Sequence, residues 1–559
     1  MPEQATESSS WTREESAAQL ASFEVAAAHA TSQREFERQS GVPRTTLQHW
    51  LARKQGLDAD RALAVFFESP VGTALLHRLQ VALFFVFDFV SSSGLRRLGT
   101  FLELAGLSPF VASSFGSCQR FSTEMETELR AFDKSQRKAL SSQMAPKRIT
   151  LCEDETFHPE VCLVAIEPVS NFIVLESYAQ QRDAKTWDGA VQGALSGMPV
   201  TVLQSTSDEA KGLLLHAREG LGAHHSPDVF HGQHDLSGAT SLGLAAQVRQ
   251  AEEAAARATA SLQEQQRQAE QWPLEAHGPG RPPDFALRLQ QAASSQAQAL
   301  STREEAQHRQ ELCREAIRGV GEAYHPVDLS TGAPRSAAQV EQALRERFME
   351  VEAVAQVAAL SERCRQKIAK AKRLLGAMVC TVAFFYREVA ERLDGLGLPI
   401  EVRRVVEQQL IPAAYLQLAS GKASGAEARA ALRERAEQLR CAGAAAIGLS
   451  SLTPEVQARI AQAVRECAEL FQRSSSCVEG RNGQLSLRHH SLHRLSAERL
   501  EALTTVHNYF VRRVDGTTAA ERFFGTKPAD LFEHLLKHLA GPARPARKRA
   551  RRPAIPTLN

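Results

Sequence analysis

The sequence predicts an α/β domain that is interrupted by a long all-helical segment and preceded by a helical N-terminal region. Short apolar runs between positions 149 and 208, separated by turn residues, indicate strands. Between positions 241 and 469, long stretches rich in Ala, Gln, Glu and Arg have helical spacing and few aromatic residues. A chain of 559 residues is too long for one ordinary core, so we expect several domains.

Residues 1–60 have the pattern of a helix-turn-helix module. A short helix over Ser32–Gln39 leads into a turn at Gly41, and Pro43 suits the first position of a second helix that ends near Leu51. The second helix of such a module can enter the major groove of DNA. A helical hairpin that binds nothing is the alternative. The predicted DNA contacts are the polar residues that face away from the apolar side of this helix: Arg44, Thr45, Gln48 and His49.

Residues 61–145 are predicted to be helical, and Gly106–Ser114 is a weaker candidate for a second DNA-binding turn. The longest apolar stretch, Val81–Val90, contains Asp88 and is too short to span a bilayer, so we expect a buried helix and no membrane contact. None of the nine cysteines forms a CxxC pair, and the chain starts without a basic-then-apolar signal. These features indicate a reduced, cytoplasmic protein without structural zinc.

The α/β region, 146–240, begins with three predicted strands. They are Ile149–Cys152, Val161–Ile166 and Phe172–Ser177, and turn residues separate the second from the third. A helix is predicted to begin at Ala184, and a strand follows over Pro199–Ser207. A second helix over Glu209–Leu221 and a short strand-like segment near Val229 complete the region. The helical segment over 241–469 is predicted to be an insertion, partly coiled coil.

Residues 470–538 return to a mixed, basic character, and residues 539–559 form a tail that is predicted to be disordered. The net charge of the chain is only +2, so binding to nucleic acid would depend on local basic patches. The tail could neutralise DNA phosphates, or it could be a solvated segment that aids solubility. Its basic residues are Arg544, Arg547, Lys548, Arg549, Arg551 and Arg552.

Three acidic residues are candidates for metal ligands. Asp154 and Asp208 each follow an apolar strand-like run, and Glu479 precedes a His- and Arg-rich stretch. Carboxylate oxygens suit Mg²⁺, and two such ions about 3.5–4 Å apart can promote in-line displacement at phosphorus. If the strand register slips by one residue, Glu153 or Glu155 would replace Asp154 as the ligand. Alternatively, the three residues are a surface carboxylate, a helix N-cap and an exposed helical glutamate, respectively.

The motifs around these residues resemble those of DDE transposases from insertion sequences. Asp154-Glu155-Thr156-Phe157 is similar to the first catalytic block of these enzymes, Ser207–Gly212 to the second and Glu479–Asn482 to the third. Asp228–His231 matches the C/D-x2-H signature of the Mutator-like branch, and His507–Gly525 resembles the closing region of many insertion-sequence transposases. Compact members place the glutamate much closer to the second aspartate, so here the helical insertion must loop out between Asp208 and Glu479.

The resemblance implies an RNase H-like core in which Asp154, Asp208 and Glu479 are catalytic and hold two Mg²⁺ or Mn²⁺ ions. His231 is a further catalytic candidate, or part of a structural His–Asp pair. Carboxylates brought together in this way repel one another, so their pKa values should be raised until metal binds.

The resemblance also implies that the partner is double-stranded DNA, both the ends of the mobile element and the target. Arg481, Arg488 and Arg494 are predicted to contact phosphates beside the site. A homodimer or higher homo-oligomer is expected because two element ends must be brought together. We expect the protein to associate with the nucleoid in a prokaryotic-type cytoplasm.

The predicted function is therefore transposition, in which metal-dependent cleavage of DNA is followed by strand transfer. One alternative is a metal-dependent nuclease or resolvase that cuts without joining. Another is a repurposed DNA-binding regulator without catalysis. A coiled-coil scaffold built on residues 241–469 ranks last, because it leaves both flanking segments unexplained.

Overall fold

The computed structural model describes residues 11–157, 160–276, 278, 280–445, 452–492 and 495–545. The described chain is mostly helical and contains a mixed sheet of five strands. One large core surrounds the sheet and the helices that flank it, and a second lies within the helical insertion. A third, small core belongs to the N-terminal module. The predicted fold class, an α/β protein with large helical regions, is confirmed.

The N-terminal module consists of α1 (Arg13–Ala28), α2 (Gln33–Ser40) and α3 (Arg44–Gln55). Gly41 ends α2 with φ of 72°, a left-handed conformation that glycine adopts without steric cost. Pro43 is the N-cap of α3, one position before the place that the sequence predicts for it. This turn lies where the sequence predicts it.

The two faces of α3 differ as the sequence pattern indicates. Leu47 and Trp50 are buried in the small core of the module. Because the opposite face is exposed to solvent, it is free to meet a partner. The exposed residues on this face are Arg44, Thr45, Gln48 and His49.

An apolar helix follows the module and packs inside the protein. It spans Pro70–Val90 and is apolar and long enough to cross a membrane, but more than half of its most apolar part is buried inside the protein. Leu76, Phe84 and Phe89 lie in the same core as the sheet, as expected for an interior helix. The helices of this region are α4 (Arg61–Phe67), α5 (Pro70–Phe84) with a π-helical end (Phe85–Val90), α6 (Leu95–Leu104) and α7 (Phe115–Ser141).

The sheet has the order β3-β2-β1-β4-β5. The first three strands pair antiparallel, whereas β1–β4 and β4–β5 pair parallel. Helix α8 (Ala184–Leu195) lies between β3 and β4 in the chain, and its Trp187 is fully buried. The strands are β1 (Lys147–Phe157), β2 (Val161–Glu167), β3 (Phe172–Ala179), β4 (Val200–Ser207) and β5 (His224–Pro227).

Strand β1 extends past the predicted end at Cys152, so Asp154 lies within the strand and pairs with Val164 of β2. The parallel pairing of β1 with β4 ends where Cys152 meets Thr206. Asp154 and Asp208 each lie two residues beyond that last pair. Because the carboxyl ends of parallel strands share one edge of a sheet, this register brings both aspartates to the same edge.

The segment after β4 is shorter and less regular than predicted. Helix α9 covers only Lys211–Leu215 and continues as a π-helical turn over His216–Gly220. The strand predicted near Val229 is β5, which ends at Pro227. Helix α10 begins directly after it, at Val229, and not near residue 241.

The helical insertion therefore starts within the region assigned to the first part of the core. Its first two helices, α10 (Val229–Gln271) and α11 (Phe285–Ala323), form a long hairpin. The remaining helices pack around the second core. They are α12 (Ala337–Val357), α13 (Glu362–Lys372), α14 (Leu374–Asp394), α15 (Ile400–Val405) with a π-helical continuation (Val406–Leu410), α16 (Ile411–Lys422), α17 (Ala426–Ala444) and α18 (Pro454–Leu470).

The two ends of the insertion meet. The backbone N–H of Val229 donates to the carbonyl of Arg473 at 3.0 Å. The backbone N–H of Ser475 donates to the buried carboxylate of Asp228 at 3.2 Å, and the Ser475 hydroxyl donates to the same oxygen. We call these bonds between Asp228–Val229 and Arg473–Ser475 the root clasp.

The chain then returns to the sheet. Asn508 donates to the carbonyl of Ile173 at 3.0 Å and accepts from its N–H at 2.9 Å, so its amide extends the pairing of β3. Phe523 stacks on Phe172 with ring centroids 4.5 Å apart. The last helices are α19 (Ser476–Leu492), α20 (Ala497–Tyr509), α21 (Ala519–Phe524) and α22 (Leu531–His538).

The first residues of the predicted disordered tail pack against the N-terminal helices. Ala112 donates its N–H to the carbonyl of Ala543 at 2.8 Å. Arg544 forms an ion pair with the buried Glu68 at 2.6 Å. Its guanidinium is therefore engaged within the protein, whereas the sequence predicts that it contacts DNA phosphates. The prediction of disorder is therefore wrong as far as residue 545. The remaining basic residues of the tail lie outside the described residues.

Candidate metal centre

Three predicted site residues converge at the carboxyl edge of the sheet. They are Asp154 on β1, His231 on α10 and Glu479 on α19, and one ligand atom of each lies within 4.8 Å of the other two. Nε2 of His231 is 3.5 Å from a carboxylate oxygen of Glu479. The three come from segments that are far apart in the chain, so the fold alone brings them together. We call this group the metal cluster.

Asp154 and Glu479 are linked through Asn482. The side-chain amide of Asn482 donates to Asp154 at 3.2 Å. Asn482 follows Glu479 by three positions in α19, which places the two side chains on the same helical face. The second oxygen of Asp154 accepts a hydrogen bond from the N–H of Glu155 at 2.8 Å. These bonds fix the carboxylate of Asp154 and hold the start of α19 against β1.

His231 is placed by the root clasp. Asp228 is the N-cap of α10 and accepts from the N–H of Phe230 at 2.7 Å, while its other oxygen accepts from Ser475. That oxygen is 3.9 Å from Nε2 of His231, a longer distance than the one to Glu479. Asp228 therefore mainly positions the first turn of α10, and it orients the His231 ring only weakly.

Asp208 borders the metal cluster but is not one of the residues whose ligand atoms lie within 4.8 Å of one another. Its carboxylate accepts from the N–H of Ala210 at 3.0 Å, in the loop before α9. Since α9 begins at Lys211, Asp208 caps this loop and is not the N-cap of the helix. The prediction that Asp208 binds a metal together with Asp154 and Glu479 stays a prediction; the group whose ligand atoms lie within 4.8 Å of one another contains His231 instead.

The pKa of Asp154 is raised to about 7, first by burial and then by the negative charges of Glu479 and Asp208. The hydrogen bond from Glu155 and the proximity of His231 oppose this rise. A bound cation would stabilise the charged form of a carboxyl group that is buried beside other negative charges.

The donor atoms of the cluster fit a divalent cation. Carboxylate oxygens suit Mg²⁺ and Mn²⁺, whereas an imidazole nitrogen suits the transition metals. Nε2 of His231 and Oδ1 of Asn482 are buried, and among the described residues neither atom has a hydrogen-bond partner. A bound ion or its water ligands would satisfy both atoms. The metal cluster could hold one ion, and the predicted second ion would have to lie toward Asp208.

The neighbours of Asp154 face the other side of the sheet. Glu153 is fully buried and accepts from the Ser205 hydroxyl and from Nε2 of His216, the latter at 3.1 Å. Glu155 accepts from the indole N–H of Trp187 at 3.2 Å. The alternative register, with either glutamate in the cluster, is therefore not the one observed.

His216 is a buried polar residue that no sequence motif marks. It bridges Glu153 and Asp188, and its contact with Asp188 is through Nδ1. Burial alone would lower the pKa of His216, but the two carboxylates outweigh burial and raise it. The residue is fully buried behind the cluster, where it joins β1 to α8. Its partners are distant in the chain, so local pattern could not have identified it.

Two of the predicted phosphate contacts are wrong. Arg481 is 6% exposed and donates two hydrogen bonds, at 2.7 and 2.6 Å, to the buried carboxylate of Glu176. Arg488 donates to the carbonyls of Phe89 and Val90 at 2.6 and 3.2 Å, where a π-helical segment ends. Both side chains hold α19 to the protein. Arg494 lies outside the described residues.

The raised pKa of Asp154 predicts that stability of the metal-free protein depends on pH. A carboxyl group whose pKa is higher in the folded state stabilises the fold below its unfolded pKa, and this contribution is lost as the pH rises through the folded value. Between pH 4 and about 7 the melting temperature of the wild type should therefore fall relative to that of Asp154→Asn. Thermal unfolding in a chelating buffer measures this difference. Parallel curves for the two proteins would contradict it.

Comparison with known proteins adds one similarity. Residues 406–551 match a family of unknown function, DUF6399. The matched segment contains the end of the helical insertion, the helix that carries Glu479 and the C-terminal helices. No curated protein and no solved structure matches the chain.

Proposed function

We propose that the protein is a DDE-type transposase, a metal-dependent enzyme that cleaves DNA and transfers the cut strand. The observation that carries this proposal is the convergence of Asp154, Glu479 and His231 at one edge of the sheet, with Asp208 beside them. Neighbouring carboxylates repel one another, and a cation bound between them would relieve this repulsion. Their convergence across the whole length of the insertion supports a common ligand.

The topology supports an RNase H-like core for this enzyme. Three antiparallel strands are followed by a helix and a parallel strand, which is the order that the resemblance implies. The insertion leaves and rejoins this core at the root clasp, so it can loop out without displacing Glu479 from Asp154. Such an interruption explains why the glutamate lies so late in the sequence.

The site residues have separate roles in the proposed reaction. Asp154, Glu479 and His231 would hold one Mg²⁺ or Mn²⁺ ion, and Asp208 would share in binding the second. Bound divalent ions would neutralise charge on the scissile phosphate and make an attacking water more acidic. Asn482 keeps Asp154 oriented, and the root clasp keeps His231 at the edge of the sheet.

Two displacements at phosphorus make up the proposed reaction. In the first, a water oxygen attacks a phosphodiester at an element end, and the bond to the 3′ oxygen breaks to release a 3′-hydroxyl. In the second, that hydroxyl attacks a target phosphate, and one target strand leaves with its own 3′-hydroxyl. Neither displacement needs a covalent enzyme intermediate, which fits a site of carboxylates and one histidine.

Helix α3 is proposed to bind the element ends, because its outer face is polar and exposed while its inner face is fixed in the module core. Replacing both Arg44 and Gln48 by Ala should weaken binding to DNA that flanks the gene by roughly 1–3 kcal/mol for each base that these side chains read. Fluorescence anisotropy with flanking and scrambled duplexes measures this change. The control is Arg257→Ala, on the exposed side of α10. Equal weakening on both duplexes would assign α3 to non-specific binding.

The test of the proposed function is excision and integration of a marker that is flanked by the gene's own neighbouring DNA. Movement of the marker supports the transposase. If the flanking DNA is cut but not joined, the nuclease alternative would replace the transposase. If the protein binds the flanking DNA without cutting it, the regulator alternative would replace the transposase. The same substrate, with two ends on one DNA, also tests the proposed homo-oligomer, since mixed active and inactive copies should interfere with each other. Recovery of the tagged protein with the nucleoid tests its location.

A further inference from the structure

We infer that Glu128, His534 and His538 form a second metal site, which takes Zn²⁺ or a similar transition-metal ion. One ligand atom of each residue lies within 4.8 Å of the other two. Glu128 belongs to α7, and both histidines belong to the C-terminal helix α22. This site shares no residue with the metal cluster and does not depend on the proposed function.

The two histidines are arranged to act together. They are separated by four positions on α22, so they lie on one face of the helix. Their rings stack with centroids 4.0 Å apart and planes inclined by 29°. Nδ1 of His538 donates to the carbonyl of His534 at 2.8 Å. Since a carbonyl can only accept, the proton is on Nδ1, and Nε2 of His538 keeps a lone pair for a metal.

Nε2 of His534 faces the carboxylate of Glu128. Nε2 of His534 is 3.5 Å from Oε2 of Glu128, and this buried nitrogen makes no hydrogen bond to any residue that the structure describes. The imidazole ring packs edge-on against Phe132 with centroids 5.0 Å apart, which limits its rotation. The imidazole of His534 and the carboxylate of Glu128 are therefore placed to act as two ligands of one metal ion.

The donor set determines the metal class. Two imidazole nitrogens and one carboxylate oxygen suit Zn²⁺, whose ligands lie at about 2.0–2.2 Å in tetrahedral sites. The ligand atoms are separated by no more than 4.8 Å, so small side-chain rotations would bring them to an ion, and the exposed His538 can rotate most easily. A water molecule from the solvent side would supply the fourth ligand. Mg²⁺ is disfavoured here because it prefers oxygen ligands.

A bound ion would cross-link α22 to α7. Helix α7 packs against α20, which carries Asn508 and its bonds to β3. The ion would thereby strengthen the attachment of the C-terminal helices to the sheet.

The experiment measures zinc bound to the full-length protein in a His231→Asn background, which removes the imidazole of the metal cluster. Equilibrium dialysis with metal analysis should give one bound Zn²⁺ for this parent protein. Adding His538→Asn should weaken binding by at least about tenfold, because loss of a residue that merely orients a ligand already costs about 10–100-fold. The matched control is His308→Asn, an exposed histidine on α11, which should leave binding unchanged. Co²⁺ should give a tetrahedral absorption spectrum with the parent and not with the His538→Asn variant.

Two results would overturn the inference: a parent that binds no zinc, or a His538→Asn variant that binds it as tightly as the parent. Glu128→Gln provides a second test with little change in shape. Zinc should raise the melting temperature of the parent by mass action. It should raise that of Glu128→Gln less.

Discussion

Glu479→Gln is expected to lower the rate of metal-dependent DNA cleavage by about a thousandfold or more, because a metal-bound site supplies several kcal/mol and each 1.36 kcal/mol changes the rate tenfold. The amide has nearly the shape of the carboxylate but lacks its charge. The side chain of Glu479 is 37% exposed, so the variant should fold normally. Single-turnover cleavage of a labelled flanking duplex in Mn²⁺ gives the rate.

The aspartate at the border of the cluster supplies the matched comparison. Asp208→Asn should also abolish cleavage if Asp208 helps to hold the second ion, whereas the exposed neighbour Glu209→Gln should cleave normally. DNA binding by all three variants should equal that of the wild type. An active Glu479→Gln would remove this glutamate from the catalytic residues and leave the convergence at the sheet edge without the proposed role.

Arg481→Ala is expected to lower the free energy of unfolding by about 3–5 kcal/mol, because it leaves the carboxylate of Glu176 buried without its partner. Glu176 is fully desolvated at its side chain, and Arg481 supplies two of its hydrogen bonds. The Thr504 hydroxyl supplies another, which cannot by itself compensate a buried charge. Urea unfolding followed by circular dichroism measures the destabilisation.

The control removes both charges. In the double variant Arg481→Met with Glu176→Leu, apolar groups replace the pair, and the destabilisation should be much smaller than in Arg481→Ala. Thr504 keeps a second hydrogen bond to the carbonyl of Leu500 in that variant. If Arg481→Ala unfolds like the wild type but binds DNA poorly, the original prediction of a phosphate contact would be restored.

The strands and the DNA-binding candidate helix could be predicted from local sequence. Short β-branched runs bounded by turn residues are local signals, and so is the turn at Gly41 with apolar residues at helical spacing after it. Asp154, His231 and Glu479 were identified by motif, and the structure brings them together. Local pattern alone could not have given their proximity, because it depends on how the insertion folds back.

Predictions failed where a residue's partner lies far away in the chain. Arg481 and Arg488 form a basic helical patch in the sequence, but their acceptors are on β3 and at the end of the Phe85–Val90 segment. The start of α10 was misplaced because Gly, Ser and His residues after Val229 weaken its helical periodicity. Tertiary contacts, beginning with the root clasp, override that weak local preference.

The root clasp has a consequence for the order of folding. On the ribosome, β1 and Asp154 are synthesised long before Ser475 and Glu479, which are separated from them by more than half the chain. Contacts between such distant positions form late, because the intervening segment must first become compact. A nascent chain would therefore contain all five strands of the sheet before Glu479 can join Asp154 and His231. If the DNA cleavage proposed above depends on Glu479, that activity can appear only after Ser475 and Glu479 have been synthesised and have joined the edge of the sheet.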